Sequence, residues 1–456
     1  MHLLYLNESH IVSCYHDFYW ISFGNTGKEL LHLSSIMIYN CIKSPLIFLC
    51  LIGMVWGLNA HMDANVIGSS QPTVSGTLIG RDGLLAVPVM RDEFMPKPIM
   101  GVGISYDGKV YVTETIRQQR EEISLIQSPF LHEKDMELTS TKAKRKWIIE
   151  NYSPQIAARQ RLGDYNGDGK VDVRDLSVRS EKIYTLQDEN ADGVFDKATL
   201  FADGFNKVLT GVAHSVTPID GHVYTTIIPD LWKLTDTDGD GVADRRESIA
   251  HGFAPHIGYG NHDLHSIVQG YDGKLYWSMG DRGLDVLTKK GKRVSNPHSG
   301  CILRCNPDGS EFEVFATGLR NCQYFDFDNY GNIFAVDHDA DFQGERERLV
   351  YLPEGSDSGW RMYYQYRNTT LVRAARDNLY NPWLGEKMWL PFHREQPSHI
   401  LPAIENSWNA PAAFSFQPGT ALDGAYSDHF LLGGMGNIRA FRMIADGAGF
   451  KRQGDH

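Results

Sequence analysis

One phrase recurs along this chain and limits what it can fold into. Met100–Glu114 (MGVGISYDGKVYVTE) is an apolar run, an Asp107-Gly108-Lys109 turn and a second run rich in β-formers. The phrase returns as Gly211–Thr226 around Asp220-Gly221, as His265–Ser278 around Asp272-Gly273, and as Cys322–Val336 around Tyr330-Gly331-Asn332. A blurred copy covers Phe414–Gly433. Asp-Gly supplies the backbone torsions of a tight hairpin turn, so each copy reads strand, turn, strand, then a polar loop. Where nothing is inserted, the copies lie about fifty to sixty residues apart, the period of one four-stranded propeller blade with long loops. The expected fold class is all-β, a β-propeller with about five recognisable blades. The last clear strand, Asn437–Met443, has no blade after it. Because a propeller protects its strand edges by closing, either the first segment closes a five-bladed ring or, the favoured expectation, the chain is a truncated six-bladed ring.

Composition agrees with a turn-rich β protein, with 44 glycines in 456 residues. The net charge of −12 and the lack of a basic stripe exclude nucleic acid as a partner. The acidic excess is local, and much of it lies in three loops. In the first, Asp164, Asn166, Asp168, Asp172 and Asp175 occupy positions 1, 3, 5, 9 and 12, with the Lys170 carbonyl at position 7. The second, Asp188, Asn190, Asp192, Val194 (carbonyl) and Asp196, has only Thr199 at position 12 and should bind more weakly. The third is the fullest: Asp236, Asp238, Asp240, Val242 (carbonyl), Asp244 and Glu247. Crowded carboxylates repel one another, and a hard cation removes that cost; calcium tolerates such irregular oxygen sets better than magnesium. The flanks of the second and third loops are strand-like, so these are hairpin-borne calcium loops that staple blade loops rather than helix–loop–helix sensors.

Near the amino terminus, Ile42-Lys43-Ser44 precedes the apolar run Pro45–Gly57 and then Leu58-Asn59-Ala60. A basic flank, a short apolar core and a small residue form the layout of a secretory signal, and the run is short for a membrane span. The alternative is an uncleaved anchor. Translation is expected to start at Met37, which leaves residues 1–36 as upstream sequence without a structural role. A signal peptide then covers 37–60, a linker 61–95 and the propeller 96–456. The chain is expected to be periplasmic or secreted and not membrane-spanning. Cys14, Cys41 and Cys50 lie in or before the signal, and Cys301, Cys305 and Cys322 follow it. An odd number of exported cysteines allows at most one disulfide, either Cys301–Cys322 or Cys305–Cys322. Residues 117–152 read as one or two amphipathic helices inserted in a loop, with their charges on a solvated face or, alternatively, as a lid.

The third hairpin carries the chemistry. His262 precedes it and Asp281 ends it, so pairing of its strands brings both to neighbouring strand ends. A histidine whose second ring nitrogen is held by a carboxylate is a positioned base. His265 competes with His262 for that role.

Three phrases, GYDGKLYWSMGDRG (270–283), SGCILRCNPDGS (299–310) and FATGLRNCQYFDFDNYGNIFAVDHD (315–339), resemble the glucose/sorbosone dehydrogenase family of soluble quinoprotein β-propellers. The run from Asp236 to Arg367 also resembles the propeller module of large secreted bacterial proteins described as membrane-bound dehydrogenases. Those often continue into helical repeats and a haem-binding cytochrome c domain. The resemblance implies His262 as catalytic base, Asp281 as the aspartate that orients it, and Arg320 and Asn321 as contacts to a pyrroloquinoline quinone. It implies oxidation of a sugar or related small-molecule alcohol, with a cytochrome c-type electron acceptor. Trp360, Tyr363 and Tyr364 could then form an aromatic platform for the sugar or pack between blades. The second reading is a non-catalytic, calcium-stabilised propeller that binds a glycan or protein.

Overall fold

The computed structural model describes residues 96 and 98–454 apart from 118–121, 339–344, 367–380, 407–410, 420–423 and 435–436. Of the earlier chain it describes only short strands at Ile21–Ser22, Leu30–Leu31, Met37–Ile38, Leu78–Ile79 and Leu85–Val87. The expected signal peptide, the linker and the first three cysteines otherwise lie outside the described residues.

Each hairpin phrase supplies the first two strands of a four-stranded antiparallel sheet whose strands follow one another in sequence. Blade 1 contains Ile99–Ile104, Val110–Glu114, Glu181–Gln187 and Lys197–Phe205. Blade 2 contains Ala213–Ile219, His222–Ile227, Asp230–Thr235 and Arg245–His251. Blade 3 contains Leu264–Gln269, Leu275–Met279, Gly300–Cys305 and Glu313–Leu319, with a ribbon of Leu284–Leu287 and Arg293–Asn296 between its second and third strands. Blade 4 is Cys322–Phe327, Ile333–Asp337, Arg348–Tyr351 and Glu405–Asn406. Blade 5 is Ala413–Gln417, His429–Gly434, Asn437–Asp446 and Gly449–Gln453. The first strands pack side by side in order, blade 1 on 2, 2 on 3, 3 on 4 and 4 on 5. That radial array is a β-propeller, with five blades among the described residues.

The turns explain why the phrase repeats. Gly108, Gly221, Gly273 and Gly331 all have positive φ, between 76° and 87°, which a side chain rarely adopts. Apolar residues on alternate strand positions fill the space between blades. Trp277, for example, lies fully buried between Phe253 and Phe312.

In an antiparallel meander the first and third turns of every blade fall on one face and the remaining connections on the other. His262, Asp281 and the long connection of blade 1 between Glu114 and Glu181 therefore share a face. The second and third Asp-rich loops, each joining the third and fourth strands of a blade, lie on the opposite one.

That long connection differs from its expected form. Helices run over α1 (His132–Glu137), α2 (Thr141–Asn151) and α3 (Pro154–Gln160), and the described residues of 117–126 form none. Ser140 and Ser153 cap α2 and α3 by accepting from Ala143 and Ile156 N–H. The charges do not all face solvent. Arg117 is fully buried and donates to the carbonyls of Lys207, Thr210, Leu176 and Arg179. Glu122, Asp135 and Lys144 are buried as well. Ile123, Leu125, Leu131, Leu138, Ile148 and Ile156 form a separate apolar cluster that includes Ile257 and Met362.

The three described cysteines are free and buried, so neither expected disulfide forms. Burial pushes the Cys301 and Cys305 thiols up to about 12, which keeps them protonated and unreactive. No helix among the described residues is long and apolar enough to cross a membrane.

Candidate active site

The third hairpin pairs Leu264 with Met279, and Gly280 N–H extends the ladder to the Asp263 carbonyl at 2.8 Å. This register sets His262 opposite Asp281. A Cβ on Gly280 would lie 2.5 Å from the His262 carbonyl carbon and oxygen, so only glycine permits the approach. His262 Nδ1–H donates to Asp281 Oδ1 at 2.7 Å, and Trp360 Nε1–H donates to Asp281 Oδ2 at 2.9 Å. All three side chains are buried. With Nδ1 held by Asp281, proton exchange with a ligand would run through Nε2. Burial pushes the Asp281 carboxyl up to about 6, opposed by Arg320 and by the Trp360 hydrogen bond.

Blade 4 supplies the other two expected residues. Asp281 N–H donates to the Arg320 carbonyl at 2.7 Å, which ties the end of one hairpin to the start of the next. Arg320 donates through Nη1 to the His338 carbonyl at 2.8 Å, and its guanidinium lies 5.8 Å from the Trp360 ring centre. Both Arg320 and Asn321 give their backbone N–H to Asp337, whose carboxylate also pairs with the buried Arg348. Asn321 Oδ1 accepts from His265 Nε2–H at 2.8 Å, and the His265 ring sits edge-on to His214 at 4.1 Å. His265 therefore faces an amide, whereas His262 faces a carboxylate; only His262 has the geometry of an oriented base.

Behind His262 lies the residue set that sequence reasoning missed. Residues 254–260 lead into His262, and the insertion clamps their backbone. Lys144 Nζ donates to the Ala254 and His256 carbonyls at 3.1 and 2.8 Å. Asp135 accepts from the N–H groups of Ile257 and Gly258. Leu125 N–H reaches the Gly258 carbonyl, and Gly260 N–H reaches Ser124 Oγ, both at 2.9 Å. Arg282, next to Asp281, bridges Glu122 of the insertion and Asp263, next to His262. Burial pushes the Lys144 ammonium down to about 7.

The aromatic platform does not form. Trp360 is fully buried against Trp383, Tyr363 bonds His298, and Tyr364 stacks on Trp383. Arg361 forms a two-point pair with Asp357, so its charge is already matched.

The three Asp-rich loops share one backbone scaffold. Gly169, Gly193 and Gly241 at position 6 have φ between 82° and 89°. Asp164, Asp188 and Asp236 at position 1 each accept the N–H of that glycine. In the third loop Asp236, Asp238 and Asp244 bring one carboxylate oxygen each within 4.8 Å of the others. Asp240 instead caps Val242 N–H, and Glu247 lies in the following strand paired with Lys289 at 2.6 Å. In the second loop Asn190 caps Asp192 N–H, Asp192 caps Val194 N–H, Asp196 accepts from Glu189 N–H, and Thr199 lies in a strand. In the first, Asn166 caps Asp168 N–H, and Asp168 caps Lys170 N–H. Asp175 accepts from Tyr165, Asn166 and Asp172, while Arg174 pairs with Asp168 and Asp172. The third loop fits a hard cation best, because three of its carboxylates converge.

The family model described as "Domain of unknown function (DUF7133)" matches residues 147–389. No curated protein matches the sequence. Among solved structures, the chain is similar to the PQQ-bound aldose sugar dehydrogenase from Streptomyces coelicolor, with 14% identity over 79% of this chain and 81% of that one, at a TM-score of 0.43. It is similar to a glucose dehydrogenase-type oxidoreductase from Thermus thermophilus, with 12% identity over 78% and 83%, at 0.44. A soluble aldose sugar dehydrogenase from Escherichia coli matches with 12% identity over 60% and 80%, at 0.39.

Proposed function

We propose that this chain, which belongs to the DUF7133 family, is an exported quinoprotein-type dehydrogenase that oxidises a sugar or related alcohol. The observation that carries the reading is the buried His262–Asp281 pair, with the Arg320 guanidinium beside it. The site residues fit one end of a quinone: a base of fixed orientation and a planar cation suited to a carboxylate. When bound, pyrroloquinoline quinone supplies an electrophilic carbonyl that accepts hydride from the alcohol carbon. His262 Nε2 takes the hydroxyl proton, Asp281 stabilises the imidazolium that forms, and Arg320 and Asn321 hold the anionic ligand. The sugar class comes from the sequence resemblance, as does a cytochrome c-type acceptor, and export from the signal over residues 37–60. Calcium in the third Asp-rich loop staples blade 2.

Reconstitution with pyrroloquinoline quinone and calcium, an artificial electron acceptor and a panel of aldoses tests this reading. Wild type should turn over, and His262→Ala should lose at least about a hundredfold in kcat. His251→Ala, which removes a surface histidine also paired with an aspartate, should leave kcat unchanged. Quinone-independent or absent turnover sinks the reading in favour of a non-catalytic propeller that binds a glycan or protein.

A further inference from the structure

We propose that Trp360 is the positioning residue that holds Asp281, and through it His262, in the orientation a base requires; this rests on the reading of His262 and Asp281 given above. Each oxygen of the Asp281 carboxylate takes one buried donor, His262 Nδ1–H at 2.7 Å and Trp360 Nε1–H at 2.9 Å. Rotating the carboxylate to release one donor therefore breaks both bonds.

The indole is itself immobilised. The Trp360 backbone N–H donates to the Gly318 carbonyl at 2.8 Å, and the ring packs edge-on against Trp383 at 4.9 Å and Tyr364 at 5.8 Å. Unlike a water molecule, such a donor cannot leave or turn. The Arg320 guanidinium lies over the same ring, so one side chain touches both halves of the proposed site. The charged and titratable groups around Asp281 are His262, Arg320, His256 and Arg282, and the Tyr259 ring lies edge-on to His262. A donor to the ionised carboxylate favours that form, which opposes the upward push of burial. A tryptophan 79 residues from Asp281 thus completes a base relay that the hairpin alone leaves unfinished.

The test uses the full chain with no quinone or sugar added. Imidazole ¹⁵N resonances are followed against pH, with His262 assigned by its loss in His262→Ala. Trp360→Phe keeps the ring and removes the donor. Asp281 should then take up its proton at higher pH, so the His262 midpoint should fall by about one pH unit and its Nδ1–H tautomer should lose population. Trp383→Phe removes another buried indole N–H from the same aromatic cluster, one bonded to Glu345, and should leave His262 unmoved.

Unmoved His262 signals in Trp360→Phe, or equal shifts in both variants, overturn the proposal. A second readout needs no variant. The wild-type Trp360 indole N–H, a buried donor bonded to Asp281, should exchange slowly with solvent, and rapid exchange overturns the proposal by itself. Neither measurement depends on turnover. Loss of the dehydrogenase reading would leave this result standing, and an unmoved His262 beside intact turnover would remove Trp360's role alone.

Discussion

Asp281 meets two opposing demands. Burial favours its neutral form and lifts the carboxyl from its ordinary value near 3.8 to about 6, whereas orienting an imidazolium requires the anion. Between those values the folded chain binds a proton that the unfolded chain has released. The stabilisation linked to Asp281 is therefore complete below about pH 4 and is lost as pH rises through about 6. At neutral pH this residue serves chemistry against stability. For a quinone-dependent turnover, kcat/KM should fall as pH drops below about 6, because Asp281 protonation removes the acceptor of Nδ1–H. Asp281→Asn should displace that limb and lower kcat by about a hundredfold or more, since the amide cannot stabilise the imidazolium. An unchanged pH–rate profile in Asp281→Asn would contradict the role. Such a pair was visible in the sequence because a hairpin is local: an Asp-Gly turn and alternating β-formers set the register that joins its ends. Trp360 was not visible in this role. Its loop follows the third strand of another blade, and an isolated tryptophan reads equally well as core or as sugar platform.

Among the elements, the insertion of blade 1 most changes the picture. Its charge run reads as a solvated face, yet Glu122, Asp135 and Lys144 point inward and satisfy or pair buried polar groups behind His262. Periodicity cannot reveal this, because the partners of Asp135 and Lys144 are backbone groups of residues 254–260, which carry no sequence signal, and that of Glu122 is the distant Arg282. Asp135→Ala would leave the buried N–H groups of Ile257 and Gly258 without an acceptor. It should cost about 2–4 kcal/mol, read by denaturant unfolding. Glu133→Ala, an exposed change on the same helix, should stay within about 0.5 kcal/mol. Equal effects of the two would show that the clamp contributes nothing.

For the whole molecule, the five-blade arrangement was legible because every blade announces itself by the same short phrase, and glycines with matching φ recur at four of the turns. Less legible was which residues of the Asp-rich loops converge. Position 12 of the third loop is a glutamate in sequence, but the strand that follows carries Glu247 into a pair with Lys289. Loop spacing alone does not report where a strand begins. Calcium bound to the folded chain alone should stabilise it by mass action, about 2.7 kcal/mol at a hundredfold excess over Kd. The melting temperature should therefore rise with calcium and fall with chelator, and Asp236→Ala combined with Asp238→Ala should remove most of the difference. Identical melting in calcium and chelator would argue against a filled loop.

The base role of His262 is tested most directly by stopped-flow spectroscopy of the quinone- and calcium-loaded protein mixed with an aldose deuterated at the oxidised carbon. The predicted result is quinone reduction slowed by the deuterium in wild type, and slowed a further hundredfold or so in His262→Ala. Equal reduction rates in wild type and His262→Ala, or no reduction by any aldose, would contradict it.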